Sequence, residues 1–418
     1  MSNSKISVLN YFFIIAFFFL IISRSNAQKS RVELLQLIQQ KDLSLDKKGD
    51  YLCELSTYYK KIDTLKAYAY ANQALKIAEQ LNVKAKQAIA YESISDVARF
   101  LDNVPKQIKF ADSSFLLATQ SNDEEAMAYA NYAIAYKYET IGDQEKYIYY
   151  MLKSLSYFEK HKIRYDKLVN GYENLGSVFS GKNDIKVYEK YTKKALQLSY
   201  ESKKPIIIAN ALTSWALFLV SSAEHKTPVD VKLLHSAELD FLKAIKIFES
   251  DKNKENVNLS YGRTYLNLTF LYLYHFFDTQ KTKTIAYLKK TEEVCLKLNN
   301  PMQLMVMYGQ QAQFYTNIND ISNVEKVLKK IEVYINKNKN LNPKYFGLLY
   351  KNYMDLAELK NDFPAYRNYF KLYDKAIEAM VDKENKTKEY NASIRFETEK
   401  KLQEIKLLTE NQIGRAHV

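Results

Sequence analysis

Small and apolar residues recur along this chain at steps of three and four. The stretch Ala67–Asn82 shows it best: Ala67, Ala71, Ala74-Leu75 and Ala78 fall on one face of a helix, with Lys, Glu, Gln and Asn between them. The pattern returns about 40 residues on, where Ala71, Leu75, Ala78 and Asn82 become Ala111, Phe115, Ala118 and Asn122. It returns again at Met151, Leu155, Phe158 and Lys162, then at Ala195-Leu196 and Ala244-Ile245. A fixed spacing filled with helical pattern predicts a stacked array of helical hairpins.

Turn signals divide the array into about eight hairpins, 51–374 in all, behind an N-terminal capping helix at 28–50. Val32, Leu35 and Ile38 start the cap's stripe, and Lys47-Lys48-Gly49-Asp50 is expected to end it. Hairpins then run Tyr51–Asn82 with a turn at Asp63, Ala88–Asn122 with a turn at Asp102–Pro105, Glu125–Lys162 with Gly142-Asp143, and Leu168–Ser202 with Gly181–Asp184. A fifth opens at Pro205, suited to a first helical turn, and carries a longer polar loop at Ser221–Asp230. The sixth spans Leu259–Asn299, the seventh Met302–Asn340 with a turn at Asn319-Asp320, and the eighth follows Asn342-Pro343 and turns at Asn361-Asp362.

The leading helix of each hairpin repeats a phrase of a large aliphatic residue, a small one, and an aromatic or Ala three further on. It reads Leu175-Gly176…Phe179, Leu268-Thr269…Tyr272, Ile134-Ala135…Tyr138, Ile94-Ser95…Ala98 and Leu212-Thr213…Ala216. The small residue admits the second helix closely. Together with Tyr172, Tyr191 and Ala195-Leu196, these phrases make Tyr51–Tyr373 resemble the tetratricopeptide repeat (TPR) family. Two features depart from that family: the helix-end proline is mostly missing, and the spacing is nearer 40 than 34. The resemblance implies an all-α fold, a TPR-like superhelical array followed by a long C-terminal helix. It also implies a concave groove lined by the leading helices. Residues there that point away from the hairpin seam are Glu92, Asp96 and Arg99; Tyr129, Tyr132 and Tyr136; Asn170, Glu173 and Ser177; Asn210 and Ser214; and Arg263. Exposed Tyr and Arg in such a groove suit a protein, peptide or small-ligand partner. The competing reading is that the tyrosines pack between neighbouring hairpins.

Composition supports the helical reading. Only 9 Gly and 6 Pro in 418 residues leave little for the turns of a sheet, while 35 Tyr suit seams whose hydroxyls reach water. The formal charge of +13 raises the question of an anionic partner, but no compact Lys/Arg cluster stands out, and no nucleic-acid partner is expected. Cys53 and Cys295 lie in distant hairpins, so two buried free thiols are expected rather than a disulfide. The five histidines include no i, i+4 pair, and the nearest, His225 and His235, read as surface-loop residues. No nucleophile elbow and no phosphate-binding glycine loop occurs, so neither enzyme nor cofactor is expected. Asn267-Leu268-Thr269 and Asn391-Ala392-Ser393 match glycosylation triplets, which are common by chance.

The two ends carry the remaining expectations. Lys5, the apolar run Tyr11–Ile22 and Ser25-Asn26-Ala27 read as a signal peptide, 1–27, cleaved before Gln28. As a helix the run rises about 18 Å, short of the ~30 Å hydrocarbon core, so an uncleaved anchor is the weaker alternative. No other span is expected in 28–412. Residues 375–412 are densely charged with a narrow stripe, including Ile394, Leu402, Ile405 and Leu408, and read as a projecting helix or paired coiled coil. The phrase Phe396–Leu408 resembles the exported TPR sensor regions of membrane-bound histidine kinases and LuxR-type regulators. That resemblance implies a periplasmic sensor truncated here, a homodimer through the final helix, and membrane attachment downstream of Gln412. The alternative is a complete periplasmic TPR adaptor. The last six residues, Ile413–Val418, match the conceptual translation of a common sequencing adapter and are read as foreign.

Overall fold

In the computed structural model the described residues are 29–60, 62–101, 103–250, 259–337 and 344–382. The leader, the tail 413–418, the Asn391 triplet and the stretch 383–412 lie outside them. Every regular element among the described residues is an α-helix. In order these are α1 (Arg31–Leu37), α2 (Leu45–Tyr59), α3 (Thr64–Gln80), α4 (Lys84–Phe100), α5 (Val104–Ser121), α6 (Glu124–Thr140), α7 (Gln144–His161) and α8 (Tyr165–Gly181). They continue as α9 (Ile185–Glu201), α10 (Pro205–Glu224), α11 (Val231–Ser250), α12 (Leu259–His275), α13 (Lys281–Leu298), α14 (Pro301–Asn317), α15 (Ile321–Lys337) and α16 (Lys344–Leu359). A last helix, α17, is described over 363–382. The even-numbered helices lead the hairpins and are called A helices; the odd-numbered helices from α3 on are B helices.

The hairpin ends follow from local chemistry. Asp63 Oδ1 accepts the Lys66 amide at 3.0 Å to start α3, Asn103 caps α5, Asp184 caps α9, and Asn300 caps α14 just ahead of Pro301. Left-handed backbone between helices falls mostly on asparagine: Asn82, Asn122, Asn183, Asn299, Asn319 and Asn361. Asparagine tolerates this region better than other residues with a Cβ, so it serves where the scarce glycine otherwise would. Gly142, at φ 79°, is the glycine that takes it.

Two boundaries differ from expectation. The Lys47–Asp50 stretch does not end a helix; it forms the first turns of α2, which starts at Leu45. Ser44 accepts the Lys47 amide at 3.4 Å, which starts the helix ahead of Gly49. The fifth hairpin's loop is shorter than Ser221–Asp230, because α10 runs to Glu224. That helix also qualifies the expected absence of a second span. It is 20 residues long with a mean hydropathy of 1.8, long and apolar enough to cross a membrane. Its apolar side chains, among them Ala209, Leu212, Ala216 and Phe218, are buried in the hairpin core.

The chain divides into two compact parts, one formed by Met1–Lys137 with Glu145–Leu168, the other by Tyr138–Gln144 with Val169–Val418. The first has an alanine-rich core in which Ala67, Ala71, Ala88, Ala111, Ala118 and Ala126 are fully buried, so its helices approach closely. The second has larger fillers, with Phe241, Phe248, Leu268 and Tyr272 fully buried, and a further cluster around Leu304, Met307, Leu328 and Ile331. Its seams use small residues as foreseen: Thr213 meets Thr264 at 2.8 Å and Thr269 meets Thr291 at 2.7 Å. Cys53 and Cys295 are buried free thiols, one in each part.

Candidate binding faces on the A helices

In the first part, α4 presents Glu92, Asp96 and Arg99 on one face, and α6 presents Tyr129, Tyr132 and Tyr136. The structure brings all six together. Asp96 accepts Lys60 Nζ at 2.5 Å and Arg99 Nη2 at 2.9 Å. The Arg99 guanidinium lies 3.9 Å from the centre of the Tyr136 ring, and the Tyr132 and Tyr136 hydroxyls are 3.3 Å apart. Glu92 Oε1 receives Lys167 Nζ at 2.6 Å, and that ammonium sits 4.4 Å from the Tyr132 ring centre and 5.6 Å from that of Tyr129. Arg164 forks onto Asp166 at 2.9 and 2.6 Å and donates to the Tyr129 hydroxyl at 2.9 Å.

Tyr132 and Tyr136 are therefore not exposed, as the groove reading expects; both are buried. The reason is that Arg99, Arg164 and Lys167 cover the A-helix face with their own side chains. Lys60, Arg164, Asp166 and Lys167 were not among the residues foreseen. Arg164 comes from the connection before α8, where no period reveals facing, and Asp166 lies in the first turn of that helix. Lys167 was within reach, because it continues the stripe Asn170, Glu173, Ser177 one turn back.

The electrostatics rank these pairs. Burial pushes the Asp96 carboxyl up, but Lys60, Arg99 and Lys167 together hold it well below the usual carboxylate range. Asp166 is likewise held low against burial, by Arg164. Glu92 behaves oppositely: burial raises it, and Lys167 offsets only part. Burial also lowers Lys167, with Glu92 offsetting only part. The Glu92–Lys167 pair is thus the one whose charges are held against their own desolvation.

In the second part the expected groove residues are more open. Glu173 accepts Ser214 Oγ at 3.0 Å, joining α8 to α10, and Ser177 is exposed with its hydroxyl donated to the Glu173 carbonyl at 3.2 Å. Asn170 and Asn210 are half-buried and Arg263 is exposed. Steps of four, three and four carry the Arg263 stripe on to Asn267, Phe270 and Tyr274, which were not foreseen although the same spacing points to them. Phe270 and Tyr274 are 40% and 53% exposed, with ring centres 4.4 Å apart. Asn210 Oδ1 and Asn267 Nδ2 are buried and have no hydrogen-bond partner among the described residues. The Asn267 triplet therefore does not present its amide nitrogen to solvent.

His225 bonds Asn183, while His235 pairs with Glu238 at 3.2 Å and stacks on Phe276. Among the described residues no group of three His, Cys, Asp or Glu side chains is placed to hold a metal ion.

No protein-family model matches the chain. No curated protein matches it either. Solved structures do. The apo form of RapI aligns with a TM-score of 0.53 at 12% identity, over 71% of this chain and 99% of that one. The apo quorum sensor NprR from B. thuringiensis gives 0.53 at 14%, over 84% and 92%. Aspartyl phosphate phosphatase F from Bacillus subtilis gives 0.51 at 14%, over 84% and 87%. At such identities the likeness is one of fold: the chain is an all-α, TPR-like array of helical hairpins.

Proposed function

We propose that this chain is a non-enzymatic scaffold that takes a peptide or protein partner on the A-helix face of its second part. The carrying observation is Asn267, whose buried Nδ2 lacks a partner among the described residues, about one turn along the same helix from the exposed rings of Phe270 and Tyr274; Asn210 Oδ1, on the preceding A helix, is a second such atom. A buried polar atom without a partner costs free energy. An incoming backbone amide relieves that cost, and an aromatic pair supplies an anchor. The test is selection from a random peptide library on the full chain, followed by affinity measurements on Asn210→Ala/Asn267→Ala and Tyr274→Ala. Selected peptides should bind each variant at least about tenfold more weakly, equivalent to about 1.4 kcal/mol. Peptides that bind all forms equally would remove this face from consideration.

The wider setting in this reading is an exported sensor. The leader supports export, and the charged stretch 375–412 suits a connector to a membrane helix and an output domain of the histidine-kinase or LuxR type. Pairing through Ile394, Leu402, Ile405 and Leu408 would let a ligand-biased array act on two outputs. Fusion of the leader to alkaline phosphatase tests export. Reading the gene beyond the codon for Gln412 tests tethering: about 20 consecutive apolar residues support it, and an immediate stop leaves the periplasmic adaptor.

A further inference from the structure

The charges on the A-helix face of the first part remain without a role in that reading, and Lys167 is the most telling of them. Its ammonium is surrounded as a bound amine would be, with a carboxylate oxygen at 2.6 Å and two tyrosine rings at 4.4 and 5.6 Å. Only 2% of its side chain and 1% of that of Glu92 meet solvent, whereas 26% of Arg99 does. We propose that Glu92, Tyr129 and Tyr132 form a receptor for a primary ammonium group, which the α7–α8 turn keeps filled with Lys167 until an amine-bearing ligand displaces it.

Three further observations set this arrangement apart from ordinary core packing. First, Lys167 opens α8 in the fourth hairpin and reaches past α6 to α4 in the second. Hairpin arrays are built on neighbour contacts, and their stacking has no need of such a bridge. An apolar side chain of similar length would fill the same space without bringing in two buried charges. Second, the turn that delivers Lys167 is strained. Lys162 and Arg164 have φ of 53° and 50°, the left-handed region that elsewhere in the chain falls mostly on asparagine. Arg164 keeps this conformation while bonded to Asp166 and to the Tyr129 hydroxyl, at the rim of the receptor. Third, the pair is held against desolvation on both sides, burial raising Glu92 and lowering Lys167. A displaced Lys167 would regain water, and the turn would be free to relax. The ligand chemistry is an unbranched primary amine, as a lysine side chain or a small alkylamine presents it. A quaternary ammonium lacks the N–H that Glu92 accepts.

The experiment uses n-propylammonium chloride, which reproduces the atoms that Lys167→Ala removes beyond Cβ. The full-length variant should bind it saturably, with a rising thermal midpoint, while tetramethylammonium and n-propanol at equal concentration should not act. The double variant Lys167→Ala/Glu92→Gln should bind at least about tenfold more weakly, since a charge-assisted bond is lost. The wild-type chain gives a second readout that does not depend on the variant folding. Amide hydrogen exchange at Arg164–Leu168 should quicken with n-propylammonium relative to sodium chloride at equal ionic strength, and Glu92→Gln should abolish that dependence. Unchanged wild-type exchange, or an amine effect that survives Glu92→Gln, overturns the proposal.

Discussion

Replacing Lys167 by Met removes the ammonium and keeps most of the side-chain volume, which isolates the electrostatic question. Glu92 is then left 1% exposed with its direct partner gone. Removing one partner of a buried pair costs about 3–5 kcal/mol, because the remaining charge is uncompensated. Removing both should be far milder, so Lys167→Met/Glu92→Leu is expected within about 1 kcal/mol of wild type, or above it. The pH dependence separates this cause from lost packing. Burial already raises Glu92 in the intact protein, and without Lys167 only the weaker attraction of Arg164 is left to offset it. A carboxyl raised in the folded state binds its proton more tightly there than in the unfolded chain, where the value is about 4.3. The single variant is therefore least stable above the folded value, and its deficit shrinks as pH falls from about 7.5 towards 5, by up to ~1.4 kcal/mol per unit. Asp96 and Asp166 are held low, by Lys167 among other cations, so their contribution is lost only as pH falls towards the unfolded value of about 4, below this window. Urea unfolding followed by far-ultraviolet circular dichroism, on the single and double variants at both pH values, supplies the comparison. A deficit below about 1 kcal/mol, or one that does not change with pH, refutes the view of an uncompensated buried carboxylate.

Other expectations follow from single positions. A Cβ on Gly262 would lie 2.7 Å from Leu298 Cδ1 and closer still to Gln303 Oε1, whose amide is anchored on the Leu259 carbonyl. Gly262→Ala should therefore cost about 1–3 kcal/mol through overpacking, read as a lowered thermal midpoint. At Gly181 nothing lies within 4 Å of the added Cβ, so Gly181→Ala should stabilise by about 0.4–1 kcal/mol in the same assay. Asp63→Ala removes the cap bond to the Lys66 amide and should cost about 1 kcal/mol in urea unfolding. Burial pushes the thiols of Cys53 and Cys295 up to about 12, so a thiol reagent at mildly alkaline pH should label neither in the folded chain and both after denaturation.

The hairpins were legible because each makes its own core from residues close in sequence. The step of three and four fixes a face, and the recurring Asn and capping Asp fix where the face ends, so α3 to α7 could be placed from local pattern alone. Local pattern failed where a signal had two meanings. Lys47-Lys48-Gly49-Asp50 looks like a connection, yet Ser44 starts a helix ahead of it and Gly49 is carried inside that helix. The same ambiguity governs the two faces. Periodicity put Tyr132 beside Tyr136 and Glu92 beside Asp96, which is correct, but it carries no information about what opposes them. A lysine at a helix start reads as solvated, because most are. Lys167 is buried where Glu92, 75 residues earlier, accepts its ammonium and two tyrosine rings cover it. Arg263, on an equivalent stripe of the second part, stays exposed. One spacing rule thus yields a face closed by its own cations in the first part and, in the second, a face with exposed rings and with two buried amide atoms that have no partner among the described residues. The difference lies in long-range pairing between turn and helix, the level at which the array departs from a sum of neighbouring hairpins.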